Sequence, residues 1–90
     1  MPTYLVERFL ASPEDLGAVS AQTQLAVDVL ASAGFDVRYC GLTFIPRDEV
    51  CFQWFEAPSA EVAAQASRHA GIRYDRISEA VQVPAPEKQC

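Results

Sequence analysis

Glu7 and Arg8 stand side by side in the apolar run Thr3-Tyr4-Leu5-Val6-Glu7-Arg8-Phe9-Leu10. Charges inside such a run are costly unless they are paired, hydrogen-bonded or put to use. Two chemistries fit. As a carboxylate among apolar neighbours, Glu7 can act as a general base or anchor a ligand, its pKa raised by its surroundings. As structural groups, Glu7 and Arg8 would find partners in Arg38, Gln53 or Glu56 and fix a sheet or a dimer. Tyr39, Gln53 and Trp54 offer a hydroxyl, an amide and an aromatic wall, so with Glu7, Arg8 and Arg38 they form the candidate ligand-binding set; core or interface packing is the competing reading for the aromatics. His69 is the single histidine, placed where a second helix should end and where an imidazolium interacts favourably with terminal carbonyls. Cys40 and Cys51 read as small buried side chains, unless Arg8 or Arg38 lowers a thiol pKa. Glu7, His69, Cys40 and Cys51 are the weak candidates for metal ligation.

No Gly-rich phosphate loop, G-x-S-x-G elbow or H-E-x-x-H pair occurs in the chain, which removes the enzyme classes that depend on them. A cofactor-independent cyclase, isomerase or oxygenase working by acid–base chemistry needs no such motif, and in that reading Glu7 is the catalytic residue. No cofactor is required by any pattern present.

The elements that must position these residues follow from periodicity and punctuation. The first run is a strand ending before Ser12-Pro13. Ser12, Pro13, Glu14 and Asp15 form a helix start, with Ser12 as the capping hydroxyl. Leu16, Val19, Thr23, Ala26, Val27 and Leu30 then recur on one helical stripe, with Gln22, Gln24 and Asp28 mostly off it, and Gly34 closes the helix. Val37 to Ile45 and Val50 to Phe55 flank the turn Pro46-Arg47-Asp48-Glu49 and predict an antiparallel hairpin. A second helix opens at Pro58-Ser59, carries Val62, Ala63, Ala66 and Ala70 inward, and ends at Gly71. Arg76 to Val83 is a fourth strand. Residues 1–83 are thus one domain of strand, helix, strand, strand, helix, strand order, the α+β ferredoxin-like pattern with a four-stranded antiparallel sheet and two helices on one face. Residues 84–90 hold two prolines and no apolar periodicity, and are expected to form a flexible tail. Ala33-Gly34-Phe35 and Ala70-Gly71-Ile72 echo one another where the two helices end.

Ninety residues, half of them apolar and 21% charged, suit a single small globular domain. Twelve acidic against seven basic side chains leave a formal charge of −5, which disfavours nucleic acid and anionic membrane surfaces as partners. No stretch approaches the roughly 20 apolar residues of a membrane span. Three cysteines, one of them the terminal Cys90, match no disulfide framework and no C-x-x-C site. A soluble cytoplasmic protein with reduced thiols is the expectation.

Strand alternation puts Val50, Phe52 and Trp54 on one face of the third strand and Cys51, Gln53 and Phe55 on the other. Along the second strand it sets Val37, Tyr39, Gly41, Thr43 and Ile45 against Arg38, Cys40, Leu42 and Phe44. Two helices cover only one face of such a sheet. The expected assembly is therefore a homodimer stacked sheet on sheet, of dimeric α+β barrel type, with a pocket between helices and sheet or at the joined faces.

Tyr4-Leu5-Val6-Glu7-Arg8, Phe55-Glu56-Ala57-Pro58 and Ala70-Gly71 followed by Asp75-Arg76-Ile77-Ser78-Glu79 resemble, over about residues 2–83, a family of small bacterial ferredoxin-like proteins whose best-known member is described as nickel-binding and nickel-responsive. The resemblance implies a ferredoxin-like fold, a dimer, and binding of a divalent metal such as nickel. Where members of that family often carry a histidine, a cysteine and a second histidine, this chain has Gly41, Gln53 and Ala66, none of them a good donor for nickel or zinc. The leading expectation is accordingly a small-molecule-binding protein with Glu7, Tyr39 and Gln53 as polar contacts to an apolar pocket. Metal binding and cofactor-free catalysis are the alternatives.

Overall fold

A computed structural model describes residues 1–10 and 15–86. The chain runs β1 (Thr3–Phe9), α1 (Leu16–Ser32), β2 (Arg38–Ile45), β3 (Val50–Glu56), α2 (Ala60–His69) and β4 (Arg76–Ala80). The four strands form one antiparallel sheet in the order β2-β3-β1-β4, with β1 and β3 at its centre. This is the expected βαββαβ ferredoxin-like arrangement.

Tyr4 and Val6 of β1, Phe55 of β3, Val27 and Leu30 of α1, and Ala63 and Ala66 of α2 make the main core between sheet and helices. The buried residues of α1 are Thr23, Ala26, Val27 and Leu30, the stripe that three- and four-residue spacing predicts. Gln22, expected to lie off that stripe, nonetheless ties the helices together: its Nε2 donates to the carbonyl of Ala70 at 2.6 Å.

Both helices end in the same way. The N–H of Phe35 bonds back to the carbonyl of Leu30 at 3.0 Å, and that of Ile72 to Ser67 at 2.9 Å. Each bond is the six-residue closure of a glycine-terminated helix. The echo between the two Ala-Gly segments is accordingly this shared helix ending.

Three local expectations are corrected. The cap of α1 is Asp15, whose carboxylate accepts from the N–H of Ala18 at 3.0 Å; Ser12, Pro13 and Glu14 lie outside the described residues. The fourth strand stops at Ala80, three residues short of Val83; Ala80 pairs with Thr3, the first residue of β1. Of the expected tail, residues 84–86 are exposed and 87–90, with Cys90, lie outside the described residues. Most consequential is β2, where strict alternation fails. Tyr39 pairs with Phe55 and Gly41 with Trp54, so Cys40 is an extra residue in a bulge. Gly41 adopts φ +141° there, a conformation that side chains rarely tolerate. The bulge turns Tyr39 to the helix side and leaves Thr43 and Ile45 on the opposite face.

Candidate functional site

Gln53 is one of the few polar side chains buried under the helices. Its Nε2 donates to Thr23 Oγ1 at 2.9 Å and to the hydroxyl of Tyr39 at 3.1 Å. Tyr39 in turn donates to Ser20 Oγ at 3.3 Å, and Thr23 to the carbonyl of Val19 at 2.8 Å. Because both hydroxyl protons are committed, the amide is the group that can fill the remaining acceptor positions. Tyr39 also packs its ring on Phe55, with centroids 5.4 Å apart. Tyr39 and Gln53 therefore meet, as expected of a pair of site residues, but within a bridge from β2 and β3 to α1 whose hydrogen bonds are already made.

Glu7 lies on the other face of the sheet. It stands opposite Arg76 in the β1–β4 ladder, and both Nε and Nη2 of that arginine donate to its Oε1, at 3.2 and 2.9 Å. The structural partners foreseen for Glu7 were Arg38, Gln53 and Glu56. None of them is used: Arg38 is on β2, which does not border β1, and on β3 the residue opposite Glu7 is Phe52, with Gln53 opposite Val6 and Glu56 opposite Thr3. Arg38 pairs instead with Glu56, directly across the β2–β3 ladder, at 3.3 Å. Arg8 points to the helix side, opposite Cys51. Trp54 shares the outer face with Glu7, and its indole N–H is covered without an acceptor among the described residues. A single pocket holding Glu7, Tyr39 and Gln53 does not form, since a whole sheet separates the first from the other two.

The candidate metal donors do not converge either. Cys51 is buried on the helix side, Glu7 is on the outer face, and His69 is exposed in the last turn of α2 beside Arg68, where cations complement the helix dipole. Among the described residues, no group of three or more His, Cys, Asp or Glu side chains gathers as a metal site would. Cys40, expected to be buried, is exposed, because the bulge lifts it out of the edge strand. The protein packed about its sulfur and the nearby Glu56 carboxylate push its thiol pKa up, while Arg38 pulls the other way. At neutral pH it is therefore held in the poorly nucleophilic thiol form.

One concavity was not foreseen from the sequence. A cleft of about 550 Å³ runs between α2 and the start of β4. Ala60, Ala64 and Arg68 line one wall at four-residue steps, and Tyr74, Asp75, Arg76 and Ile77 are on the other. Two alanines keep the helix flank low, which is what leaves the space. Asp75 is held in place: its carboxylate accepts from the N–H of Phe9 at 2.7 Å, and its own N–H donates to the carbonyl of Glu7 at 2.8 Å. Arg68 makes no ion pair among the described residues. The readable signal was the Ala60-x3-Ala64-x3-Arg68 spacing; what concealed it was the ordinary look of alanine on a helix.

No family model and no curated protein matches the chain. Among solved structures, it is similar to the crystal structure of SCO4226 from Streptomyces coelicolor A3(2), at 22% identity over 92% of this chain and 99% of that one, with a TM-score of 0.66. That likeness carries the fold, and the chemistry of the site must be argued from the side chains.

Proposed function

We propose that the chain binds a small organic molecule with an apolar body and one acidic group, seated in the cleft between α2 and β4. The observation that carries this reading is the cleft itself: about 550 Å³ falls inside the roughly 300–1,000 Å³ typical of small-molecule sites. Ala60, Ala64 and Ile77 supply an apolar floor and Tyr74 a ring to lie against. The Arg68 guanidinium is free to take a carboxylate or phosphate in a two-pronged hydrogen bond. Glu61, at the other end of the same wall, disfavours a second acid and orients the ligand. The function class is the one expected from the sequence, while the residues that serve it are different.

Nitrogen–proton NMR spectra recorded during titration with aromatic carboxylates, and with the methyl esters of the same compounds, test the proposal. Shifts should gather on residues 60–68 and 74–77, with the esters binding at least about tenfold more weakly, as expected for loss of a charge-assisted hydrogen bond. Arg68→Gln should erase the difference between acid and ester, and Ala64→Trp should fill the cleft and abolish binding. Shifts that gather elsewhere, or none at millimolar ligand, overturn the reading.

A further inference from the structure

Four charged side chains line the cleft between α2 and β4: Glu61, Arg68, Asp75 and Arg76. Arg76 is held by Glu7. Glu61 lies in the first turn of α2, where the positive end of the helix dipole offsets a carboxylate. Arg68 is the seat proposed for a ligand acid. Asp75 is then the one charge in the cleft without a counterpart. It faces Arg68 from the opposite wall, yet neither makes an ion pair among the described residues, with the other or with any third group.

The chain's course sets both at one end of the cleft. Strands β3 and β4 are each antiparallel to β1 and so parallel to one another, and the α2 crossover between them must run back along the sheet. Its last turn, with Arg68, therefore lies where β4 begins, with Asp75. Glu61 is seven residues before Arg68, about 10 Å away along the helix axis, and marks the far end. Asp75 is fixed in advance. Its Oδ2 accepts from the N–H of Phe9 at 2.7 Å, and its own N–H donates to the carbonyl of Glu7 at 2.8 Å. Its Oδ1 has no protein donor among the described residues. An acceptor held this way loses little freedom when a ligand arrives.

Building on the carboxylate site proposed above, we infer that the ligand is an α-amino acid with an apolar side chain. Its carboxylate sits on Arg68, its ammonium on Asp75, and its side chain runs along Ala60, Ala64 and Ile77. One carbon separates the two charges of such a molecule, which suits two opposite protein charges that face each other at one end of an otherwise apolar slot. A simple acid bound to Arg68 meets repulsion from Asp75 across the cleft; an ammonium beside the acid turns that repulsion into attraction. Net charge agrees, since a chain of −5 repels an anion in solution and does not repel a zwitterion.

Nitrogen–proton NMR titrations at neutral pH with L-phenylalanine, and with phenylpropionate, the same molecule without its amine, test the inference. Phenylalanine should bind at least about fivefold more tightly, as a charge-assisted hydrogen bond to the ammonium requires, with shifts on residues 60–68 and 74–77. N-acetylphenylalanine keeps the carboxylate, loses the positive charge, and should bind no better than phenylpropionate. Asp75→Asn retains an oxygen for the N–H of Phe9 and should bring phenylalanine and phenylpropionate within about twofold of each other. Should that variant fail to fold, the three ligands on the wild-type protein carry the test. Phenylpropionate seated in the cleft as tightly as phenylalanine overturns the amino-acid inference and leaves the carboxylate site standing. A preference for phenylalanine that survives in folded Asp75→Asn overturns it as well. Shifts outside the cleft for every ligand, or none at millimolar concentration, overturn both readings.

Discussion

Trp54 and Phe55 are neighbours in β3 whose rings leave the sheet on opposite sides. Phe55 is wholly buried, with Tyr39 against it and the helices above. Trp54 is only half-buried, with its indole N–H covered. The two faces hold similar residue types and differ in what lies over them. On the helix side, apolar groups close around one polar bridge with its hydrogen bonds made. On the outer side, apolar groups lie between two ion pairs, and no layer of the described residues is above them. Large apolar groups on a strand therefore do not by themselves mark which face is the core; the helices above one face do.

The largest effect that can break this comparison comes from truncating each face in turn. Phe55→Ala should lower the free energy of unfolding by about 3–5 kcal/mol, the usual cost of deleting a buried ring, and by the same amount at every protein concentration. Phe52→Ala, on the half-buried outer face, should cost only about 1 kcal/mol in dilute protein. Urea melts at two concentrations measure both. Equal losses in dilute solution would show that the faces are not distinct.

The next effect isolates the polar bridge. Gln53→Leu removes the donor to Thr23 and Tyr39 and should cost about 1–2 kcal/mol, since two buried acceptors lose their partner. Gln53→Glu sharpens the point through pH. Burial raises the folded-state pKa of the introduced carboxyl above its unfolded value, and its protonated form can still donate one hydrogen bond. The variant therefore keeps its stability at low pH and loses it as pH rises through that raised pKa. Melts at pH 4 and pH 7, referred to wild type at each, should show a smaller deficit at the lower pH. A deficit independent of pH would mean that water or a rearranged side chain has replaced the bridge.

How much of this was legible in the residues differs by element. Both helices, the hairpin and the order of elements along the chain follow from spacing that backbone geometry enforces locally, so the ferredoxin-like pattern could be read directly. The cap at Asp15 and the end of β4 at Ala80 were missed by about a turn and by three residues, because strand length depends on where the partner strand begins, and here that is Thr3. The Cys40 bulge was the costly omission. One added residue reverses the phase of β2 and brings Tyr39 to Gln53, and nothing but the glycine at 41 hinted at it. Site residues were harder still. Glu7 and Arg76 are 69 positions apart, and their meeting depends on a register that periodicity does not contain. The cleft is made by what Ala60 and Ala64 lack, and small side chains announce a space only once the opposing wall has been placed.

The smallest effect concerns Glu7, the residue whose position in an apolar run first suggested catalysis. Its carboxylate accepts two bonds from Arg76, yet the two side chains retain 26% and 69% of their exposure. Water screens a pair of that kind, so it should contribute no more than about 1 kcal/mol. Glu7→Gln keeps the shape and an acceptor oxygen while removing the charge. It should leave the fold intact and reduce stability by less than about 1 kcal/mol at low salt, with the difference shrinking at 1 M salt, where screening acts within roughly 3 Å. Arg76, which Glu7 holds, also lines the α2–β4 cleft, so the same variant should not weaken carboxylate binding there, while Arg68→Gln weakens it by about tenfold or more. A Glu7→Gln protein that folds normally but loses ligand would move the site across the sheet to the outer face.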